Sequence, residues 1–168
     1  MVGDFGVGKT SLIRRFVERQ FSDRYLSTVG VKISRKVLSL EAAQQQQDIK
    51  LMIWDIEGQT KFKAIAPSYL QGASGILVVG DVSRQETLDH LEEHIQTFLQ
   101  INPQGAIAVA LNKADLLDTE EITYLQTQLH FSYTALVGTF LTSAKTGKNV
   151  DPLFEQLAYK IWQNNPVH

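Results

Sequence analysis

The stretch that decides the fold is residues 3–10, Gly3-Asp4-Phe5-Gly6-Val7-Gly8-Lys9-Thr10. It fits the pattern G-x-x-x-x-G-K-[ST], in which glycines let the backbone wrap closely around phosphate groups and present many amide donors to them. Lys9 is expected to reach the β- and γ-phosphates of a nucleotide, and the Thr10 hydroxyl to ligate Mg²⁺. The residues from Gly8 to about Arg19 predict a helix whose positive dipole end faces those phosphates. The alternative is a chance glycine-rich turn, so the interpretation depends on the rest of the chain.

Composition places the chain among ordinary soluble globular proteins. Its 168 residues, 43% of them hydrophobic and 20% charged, are enough for one domain spanning 1–168. A net charge of −2 gives no electrostatic case for nucleic-acid binding, and no apolar run is long enough to span a bilayer. Cysteine is absent, which excludes disulfides, thiolate metal sites and a direct prenyl or palmitoyl anchor in this chain. We therefore expect a cytoplasmic monomer.

Strand and helix patterns alternate along the chain. Strands are predicted over 31–40, 49–54, 75–81, 106–111 and 138–142. Helices are predicted over 8–19, 61–71, 83–101, 118–129 and 150–163, two of them opened by the capping-box pairs Ser83/Glu86 and Asp118/Glu121. The first two strands are expected to pair antiparallel around a hairpin loop at 41–48, which holds four consecutive glutamines. The alternation predicts an α/β fold, an open and mostly parallel sheet with helices on both faces, whose ligands bind beyond the carboxyl ends of the strands.

Two further motifs follow buried strands at that edge. In Asp55-Ile56-Glu57-Gly58-Gln59, Asp55 is placed to hold Mg²⁺, Gly58 to offer its amide to a γ-phosphate and Gln59 to orient an attacking water. In Asn112-Lys113-Ala114-Asp115, the Asp115 carboxylate can accept hydrogen bonds from N1–H and the 2-amino group of guanine, which adenine does not offer, and Lys113 lies along the base. The alternatives are a strand ending in a turn and a polar β-turn.

A third segment, Thr142-Ser143-Ala144-Lys145, ends the last predicted strand and by itself is more typical of a loop. Beside the other motifs, it places the Ala144 amide at the guanine carbonyl and Lys145 over the base. The order of the motifs resembles the small GTPases of the Ras superfamily, and the Rab branch most closely, over essentially the whole chain. Trp54-Asp55-Ile56-Glu57-Gly58-Gln59 is similar to the W-D-T-A-G-Q pattern of the family. Three segments carry the Rab likeness: Thr28-Val29-Gly30-Val31, Ser68-Tyr69-Leu70-Gln71-Gly72-Ala73 and Gly80-Asp81-Val82-Ser83.

The resemblance implies a three-layer phosphate-loop G domain, with a mostly parallel six-stranded sheet and one antiparallel edge strand. It implies a GTP-binding switch with slow Mg²⁺-dependent hydrolysis, with Lys9, Thr28 and Gln59 in catalysis and Thr10, Thr28 and Asp55 at the metal. The full set of residues expected to bind GTP or GDP is Gly3, Asp4, Phe5, Gly6, Val7, Gly8, Lys9, Thr10, Ser11, Phe21, Tyr25, Thr28, Gly58, Asn112, Lys113, Asp115, Ser143, Ala144 and Lys145. Effector, activating and exchange proteins are expected to bind through about residues 22–33 and 56–71. Phe21 and Tyr25 have an alternative as surface-loop aromatics.

The chain departs from the family pattern at two site positions. Phe5 stands where relatives carry a small residue beside the γ-phosphate, and its ring is expected to crowd Gln59. Glu57 replaces a family alanine and adds a negative charge near the γ-phosphate and Mg²⁺. We therefore expect slow intrinsic hydrolysis. The competing interpretation is a nucleotide-bound interaction module without useful hydrolysis, a pseudo-GTPase.

Two remaining features lie outside the motifs. Only Met1 and Val2 precede the phosphate loop, so we expect a truncated first strand, explained by a sequence that starts late at an internal methionine or by a degenerate protein that folds poorly. The absence of a cysteine tail is shared with bacterial Rab-like GTPases, so a prokaryotic source is expected. His90-Leu91-Glu92-Glu93-His94 fits the zinc-protease pattern H-x-x-E-H, but we interpret it as a solvated helix face with incidental histidines.

Overall fold

The computed structural model of the protein describes residues 1–24, 28–42, 45–56 and 66–165. The strands are β1 (Val31–Ala42), β2 (Gln45–Ile56), β3 (Gly75–Asp81), β4 (Ala106–Asn112) and β5 (Leu136–Leu141). The helices are α1 (Lys9–Glu18), α2 (Ala66–Leu70), α3 (Gln85–Asp89), α4 (Leu91–Ile101), α5 (Thr119–Gln128) and α6 (Val150–Asn164), with a short 3-10 helix at Ala114–Leu116. The order confirms the α/β class. None of the helices in the described ranges has the length and apolar character needed to cross a membrane.

The strands form two sheets. β1 and β2 pair antiparallel along their whole length, from Val31 opposite Ile56 to Ala42 opposite Gln45. β3, β4 and β5 are parallel and lie side by side in that order. Parallel central strands with an antiparallel edge agree with the prediction. The count of six strands in one sheet is not confirmed, since the described residues contain five strands divided between two sheets.

Met1 and Val2 lie between these two sheets. Val2 forms a single parallel bridge to β3, donating its amide to the Leu77 carbonyl (3.0 Å) and accepting from the Val79 amide (2.9 Å). On the other side, the Met1 carbonyl accepts from the Ile56 amide at 3.2 Å. The backbone of these two residues therefore joins the edges of β2 and β3.

The core has two halves, one on each face of the parallel sheet. β3 and β4 are buried on both faces, as their unbroken apolar sequences predict. On one face, the Phe16 ring of α1 stacks on Phe154 of α6 with centroids 4.2 Å apart. On the other face, Leu91, Ile95 and Phe98 of α4 are fully buried. Successive β4 side chains alternate between the halves, alanines toward α1 and α6 and larger aliphatic residues toward α4, which gives the predicted three layers.

The hairpin is longer than predicted. The prediction placed residues 41–48 in a loop, but β1 runs to Ala42 and β2 begins at Gln45, so much of the glutamine tract is strand. Side chains near this end form hydrogen bonds, from the Ser39 hydroxyl to Asp48 (2.5 Å) and from the Trp162 indole to Gln47 (3.1 Å). Backbone hydrogen bonds to a long partner strand do not depend on side-chain polarity. The glutamine-rich segment therefore forms a strand despite its low strand propensity.

The predicted helix over 83–101 is divided into α3 and α4 at His90. Its predicted capping box at Ser83 does not form, because the amide and hydroxyl of Ser83 both donate to the Asp81 carboxylate, at 3.0 and 2.6 Å. The second predicted box is present, with the Asp118 carboxylate accepting from the Glu121 amide. Of the predicted helix over 61–71, residues 61–65 lie outside the described ranges and α2 covers 66–70.

Candidate functional site

A cavity of about 350 Å³ opens at the carboxyl ends of the parallel strands. It joins parts of the chain that are far apart in sequence: residues 5–11, residues 21–24 with Thr28, residues 112–116 and residues 144–145. Its lining residues are Phe5, Gly6, Gly8, Lys9, Thr10, Ser11, Phe21, Ser22, Asp23, Arg24, Thr28, Asn112, Lys113, Asp115, Leu116, Ala144 and Lys145. A volume of this size lies within the range of small-molecule sites.

Two glycines let the loop of residues 3–10 lie against the ends of β3 and β4. Gly3 has φ +143°, and a Cβ there would meet the Val79 carbonyl oxygen at 2.2 Å. Gly8 has φ +98°, and a Cβ there would meet Asn112 Nδ2 at 2.3 Å. A side chain at either position would therefore force the loop away from the sheet.

Lys9 opens α1 and is buried inside the curve of this loop. Its ammonium donates to the carbonyls of Gly3 (2.7 Å) and Asp4 (2.8 Å). The cation and the N-terminal end of a ten-residue helix thus meet at one wall of the cavity. Both attract anions, so this wall suits phosphate groups.

The three predicted metal ligands lie together beside the loop. The Thr10 hydroxyl lies 2.6 Å from the Thr28 hydroxyl and donates to Asp55 Oδ2 at 2.5 Å, and the Thr28 hydroxyl lies 3.4 Å from the same oxygen. Asp55 is buried, and its Oδ1 has no hydrogen-bond partner among the described residues. A buried carboxylate oxygen without a partner is costly unless a cation satisfies it, and Mg²⁺ prefers hard oxygen ligands of this kind. The donor set therefore fits Mg²⁺.

The Asn112 side chain is buried, and its hydrogen bonds link three segments around the cavity. Its Nδ2 donates to the Val7 carbonyl at 2.9 Å. Its Oδ1 accepts from the Thr142 hydroxyl (3.2 Å) and the Ala144 amide (3.3 Å). The Ala144 amide, predicted at a guanine carbonyl, thus contacts Asn112 in this structure.

The predicted base-reading residues are oriented by neighbours. Asp115 Oδ1 accepts from the Ser143 hydroxyl at 2.5 Å, which fixes the carboxylate at the cavity wall. Lys113 has φ +65°, an uncommon conformation for a residue other than glycine. Its ammonium lies 2.6 Å from Oδ2 of Asp81, a buried carboxylate at the end of β3. Sequence reasoning missed Asp81.

The histidines of the H-x-x-E-H pattern are not incidental, which corrects the sequence interpretation. His90 Nδ1 lies 2.6 Å from Asp4 Oδ2, and His94 Nε2 lies 3.3 Å from Asp4 Oδ1. Burial tends to raise the pKa of the Asp4 carboxyl, but the hydrogen bonds to both histidines outweigh it and leave that pKa lowered. Asp4 therefore remains an anion in the phosphate loop. The described residues contain no group of three or more metal-binding side chains of the His, Cys, Asp or Glu type.

The predicted site residues fall into three groups. Most line the cavity, while Gly3, Asp4, Val7, Asp55 and Ser143 lie beside it without being among its lining residues. Tyr25, Glu57, Gly58 and Gln59 lie outside the described residues. Sequence reasoning missed four lining residues, Ser22, Asp23, Arg24 and Leu116, although their position next to predicted site residues was a signal.

Comparisons with known proteins agree with the motifs. The profile of the Ras family matches residues 1–163. The Ras-related protein RABF2a of Arabidopsis thaliana is 33% identical over 169 residues, which cover 99% of this chain and 82% of the relative. Ras-related protein Rab5 of Nicotiana tabacum is 34% identical with the same coverage. Ras-related protein Rab-4A of Danio rerio is 34% identical over 163 residues, 96% of this chain and 74% of the relative.

Proposed function

Because the chain belongs to the Ras superfamily of small GTPases, in its Rab branch, we propose that it is a GTP-binding switch with slow, Mg²⁺-dependent GTP hydrolysis. Small GTPases of this family bind GTP and GDP, use Mg²⁺, hydrolyse GTP and regulate trafficking or signalling. A switch of this kind works where GTP is present, so the proposed compartment is the cytoplasm.

The observation that carries the proposal is the shared cavity. Lys9 and the start of α1 form an anion-binding wall, and Asp115 lies at a wall contributed by a segment about a hundred residues later. A purine nucleotide needs a cationic surface for its phosphates and a hydrogen-bonding surface for its base. Phe21, which is half-buried beneath the Arg15 guanidinium 5.9 Å from its ring centroid, adds an apolar surface for the base.

Thr10, Thr28 and Asp55 would hold Mg²⁺. Bound there, the ion would neutralise charge on the β- and γ-phosphates. Thr28 would also sense whether a γ-phosphate is present, and Lys9 would stabilise charge that develops on it. Gln59 would orient the attacking water.

The proposed specificity for guanine is tested at Asp115. Replacing it by asparagine keeps its size but puts an amide donor in place of a carboxylate oxygen that must accept from guanine. We expect calorimetry in Mg²⁺ to show tight GDP binding and no measurable ADP binding for the wild type, and GDP binding weakened by roughly 10²-fold or more in Asp115→Asn.

Glu120→Ala, an exposed carboxylate on α5, is the matched control and should bind GDP as the wild type does. Equal binding of GDP and ADP, or no binding of either, would refute the proposed function.

Slow hydrolysis is proposed because Phe5 lines the cavity with 39% of its surface exposed. A phenyl ring there would occupy space that Gln59 and water need. We expect Phe5→Gly to speed single-turnover hydrolysis of bound GTP by about 10- to 100-fold, since misplacement of reacting groups by an ångström costs about that much. Tyr124→Ala, which removes an exposed aromatic ring on α5, should leave the rate unchanged.

An unchanged rate in both Phe5→Gly and Glu57→Ala would contradict this account of the slow reaction. The same exposed ring also favours the competing function, an interaction module that binds GTP and does not turn it over. Chromatography of the nucleotide after prolonged incubation separates the two: the switch converts GTP to GDP, and the module retains GTP.

The proposed surface for effector proteins is an exposed apolar patch. Ile33 and Trp54 face each other across the β1–β2 hairpin, and the Trp54 ring lies 6.4 Å from that of Tyr69. These three side chains are between 37% and 46% exposed. Clustered apolar groups on a surface are typical of protein-binding sites, and Ile33 and Tyr69 belong to the segments 22–33 and 56–71 proposed to bind partners.

A further inference from the structure

Asp81 lies at the carboxyl end of β3, directly beside Asn112 of β4 in the sheet register. Its backbone is held firmly: the amide donates to the Thr87 hydroxyl (2.8 Å), and the carbonyl accepts from the Arg84 amide (2.9 Å). Its side chain is fully buried. A carboxylate in such a place needs partners to offset its desolvation.

Among the described residues, the partners of this carboxylate come from two segments, residues 83–84 and the loop at Lys113. Oδ1 accepts from the amide and hydroxyl of Ser83. Oδ2 accepts from Lys113 Nζ at 2.6 Å and from Arg84 Nε at 3.1 Å. Burial raises the pKa of the Asp81 carboxyl, but the hydrogen bonds from Lys113 and Ser83 outweigh this and hold the pKa below its usual range. Asp81 is therefore the anion between two cations.

The Arg84 side chain extends this contact to the phosphate loop. While its Nε donates to Asp81, its Nη2 donates to the Phe5 carbonyl at 2.8 Å. The planar guanidinium carries its donors on separate nitrogens in a fixed fork, so it serves both acceptors at once. Phe5 lines one part of the cavity and Lys113 another, so one buried carboxylate connects the loop that is to hold phosphates with the loop that is to read the base.

We propose that Asp81 and Arg84 are positioning residues that couple the two ends of the nucleotide site, with Asp81 holding Lys113 and Arg84 holding the Phe5 end of the phosphate loop. The inference rests on the proposed function, because it concerns how the same cavity retains its nucleotide. Neither residue needs to contact the nucleotide. Loss of Arg84 loosens the loop beside the γ-phosphate, and loss of the Asp81 charge releases both Arg84 and Lys113.

The test uses the full chain loaded with fluorescent GDP or a fluorescent non-hydrolysable GTP analogue, whose release is timed after excess unlabelled GDP is added. We expect Arg84→Met to speed release of the GTP analogue about tenfold and release of GDP less, because the lost hydrogen bond acts near the γ-phosphate. Arg84→Lys keeps the charge but reaches only one acceptor, so it should restore part of the loss. Asp81→Asn should speed release of both nucleotides by about 30-fold.

Nucleotide release from the double variant measures the coupling between Asp81 and Arg84. Because loss of the Asp81 charge already releases Arg84, Asp81→Asn combined with Arg84→Met should release nucleotide no more than about twofold faster than Asp81→Asn alone. Arg19→Met is the matched control, since Arg19 forms an exposed ion pair with Asp151 away from the cavity. It should release both nucleotides at the wild-type rate.

Three results would overturn the inference. Release from Arg84→Met at the rate of Arg19→Met would show that Arg84 positions nothing. Equal acceleration of GDP and the GTP analogue in Arg84→Met, together with a lower melting temperature, would indicate a general loss of stability. Accelerations that multiply in the double variant would show that Asp81 and Arg84 act independently.

A wild type that binds no fluorescent nucleotide would instead refute the proposed function, and the inference with it. Since Arg84 is partly exposed, its variants remain informative even if Asp81→Asn fails to fold.

Discussion

At the scale of single residues, the phosphate loop is held from outside the cavity by the histidines that bind Asp4. Burial lowers the pKa of His94 from its ordinary value of 6.5, and the nearby charge of Lys9 lowers it further. The hydrogen bond to Asp4 and the charges of Asp4 and Glu93 raise it by less. His94 is therefore neutral in the folded protein over part of the range where it is protonated in the unfolded chain.

This lowered pKa has a direct consequence for stability. Below about pH 6.5 the unfolded chain takes up a proton at His94 that the folded protein does not, so the free energy of unfolding falls as the pH falls. We expect His94→Gln, which keeps a donor for Asp4 but cannot be protonated, to remove this loss. Urea unfolding at several pH values between about 7.5 and 5.5 would show it, with a difference of at most about 1.4 kcal/mol per pH unit.

The Asp4 carboxyl contributes in a separate window. Its lowered pKa stabilises the fold above the ordinary value of 3.8, and that contribution is lost only at more acidic pH. For the His94 prediction, His130→Gln, at an exposed histidine just after α5, is a suitable control. If the wild type and His94→Gln have parallel pH profiles down to pH 5.5, His94 is not the group responsible.

At the scale of elements, the start of α5 is secured by side chains. The Asp118 carboxylate accepts from the Glu121 amide at 2.9 Å, and the Glu121 carboxylate accepts from the Asp118 amide at 2.9 Å. At Ser83 the Asp81 carboxylate, two residues earlier, binds the hydroxyl and amide that a cap would use.

The contribution of the box to stability is measurable. Asp118→Ala removes the acceptor for one amide and the reciprocal bond that depends on it, so we expect the free energy of unfolding to fall by about 1 kcal/mol. Chemical denaturation followed by circular dichroism would measure it. Glu120→Ala, one position before Glu121 and outside the box, should change stability by less than about half of that. A loss equal in both variants would mean that capping is not the cause.

Elements whose pairing depends on the backbone were harder to predict than those with a side-chain pattern. β3 and β4 are unbroken apolar runs, α6 has apolar residues at helical spacing, and all three begin at the predicted residue. β2 begins at Gln45, four residues before the predicted start, because a glutamine-rich segment pairs through amides and carbonyls that its side chains do not reveal. The break at His90 likewise leaves no pattern in the apolar residues, which continue through Leu91 and Ile95.

At the scale of the whole molecule, topology explains which site residues could be predicted. Parallel strands end at the same edge, so the segments beginning at Asn112 and Ser143 are brought to the loop at Gly8 without any knowledge of side-chain contacts. The contacts of Arg84 with Phe5 and of His90 with Asp4 span 79 and 86 residues. They depend on where a long side chain reaches from a helix end, which periodicity does not encode.

The position of Asn112 has a kinetic consequence. One amide group ties the carbonyl of Val7 to Thr142 and Ala144, so the walls of the cavity are assembled by the protein's own hydrogen bonds. A ligand that enters such a preorganised pocket spends little of its interaction energy on ordering the protein. Encounter rates should then differ little from one purine nucleotide to another, and selectivity should be expressed in residence time.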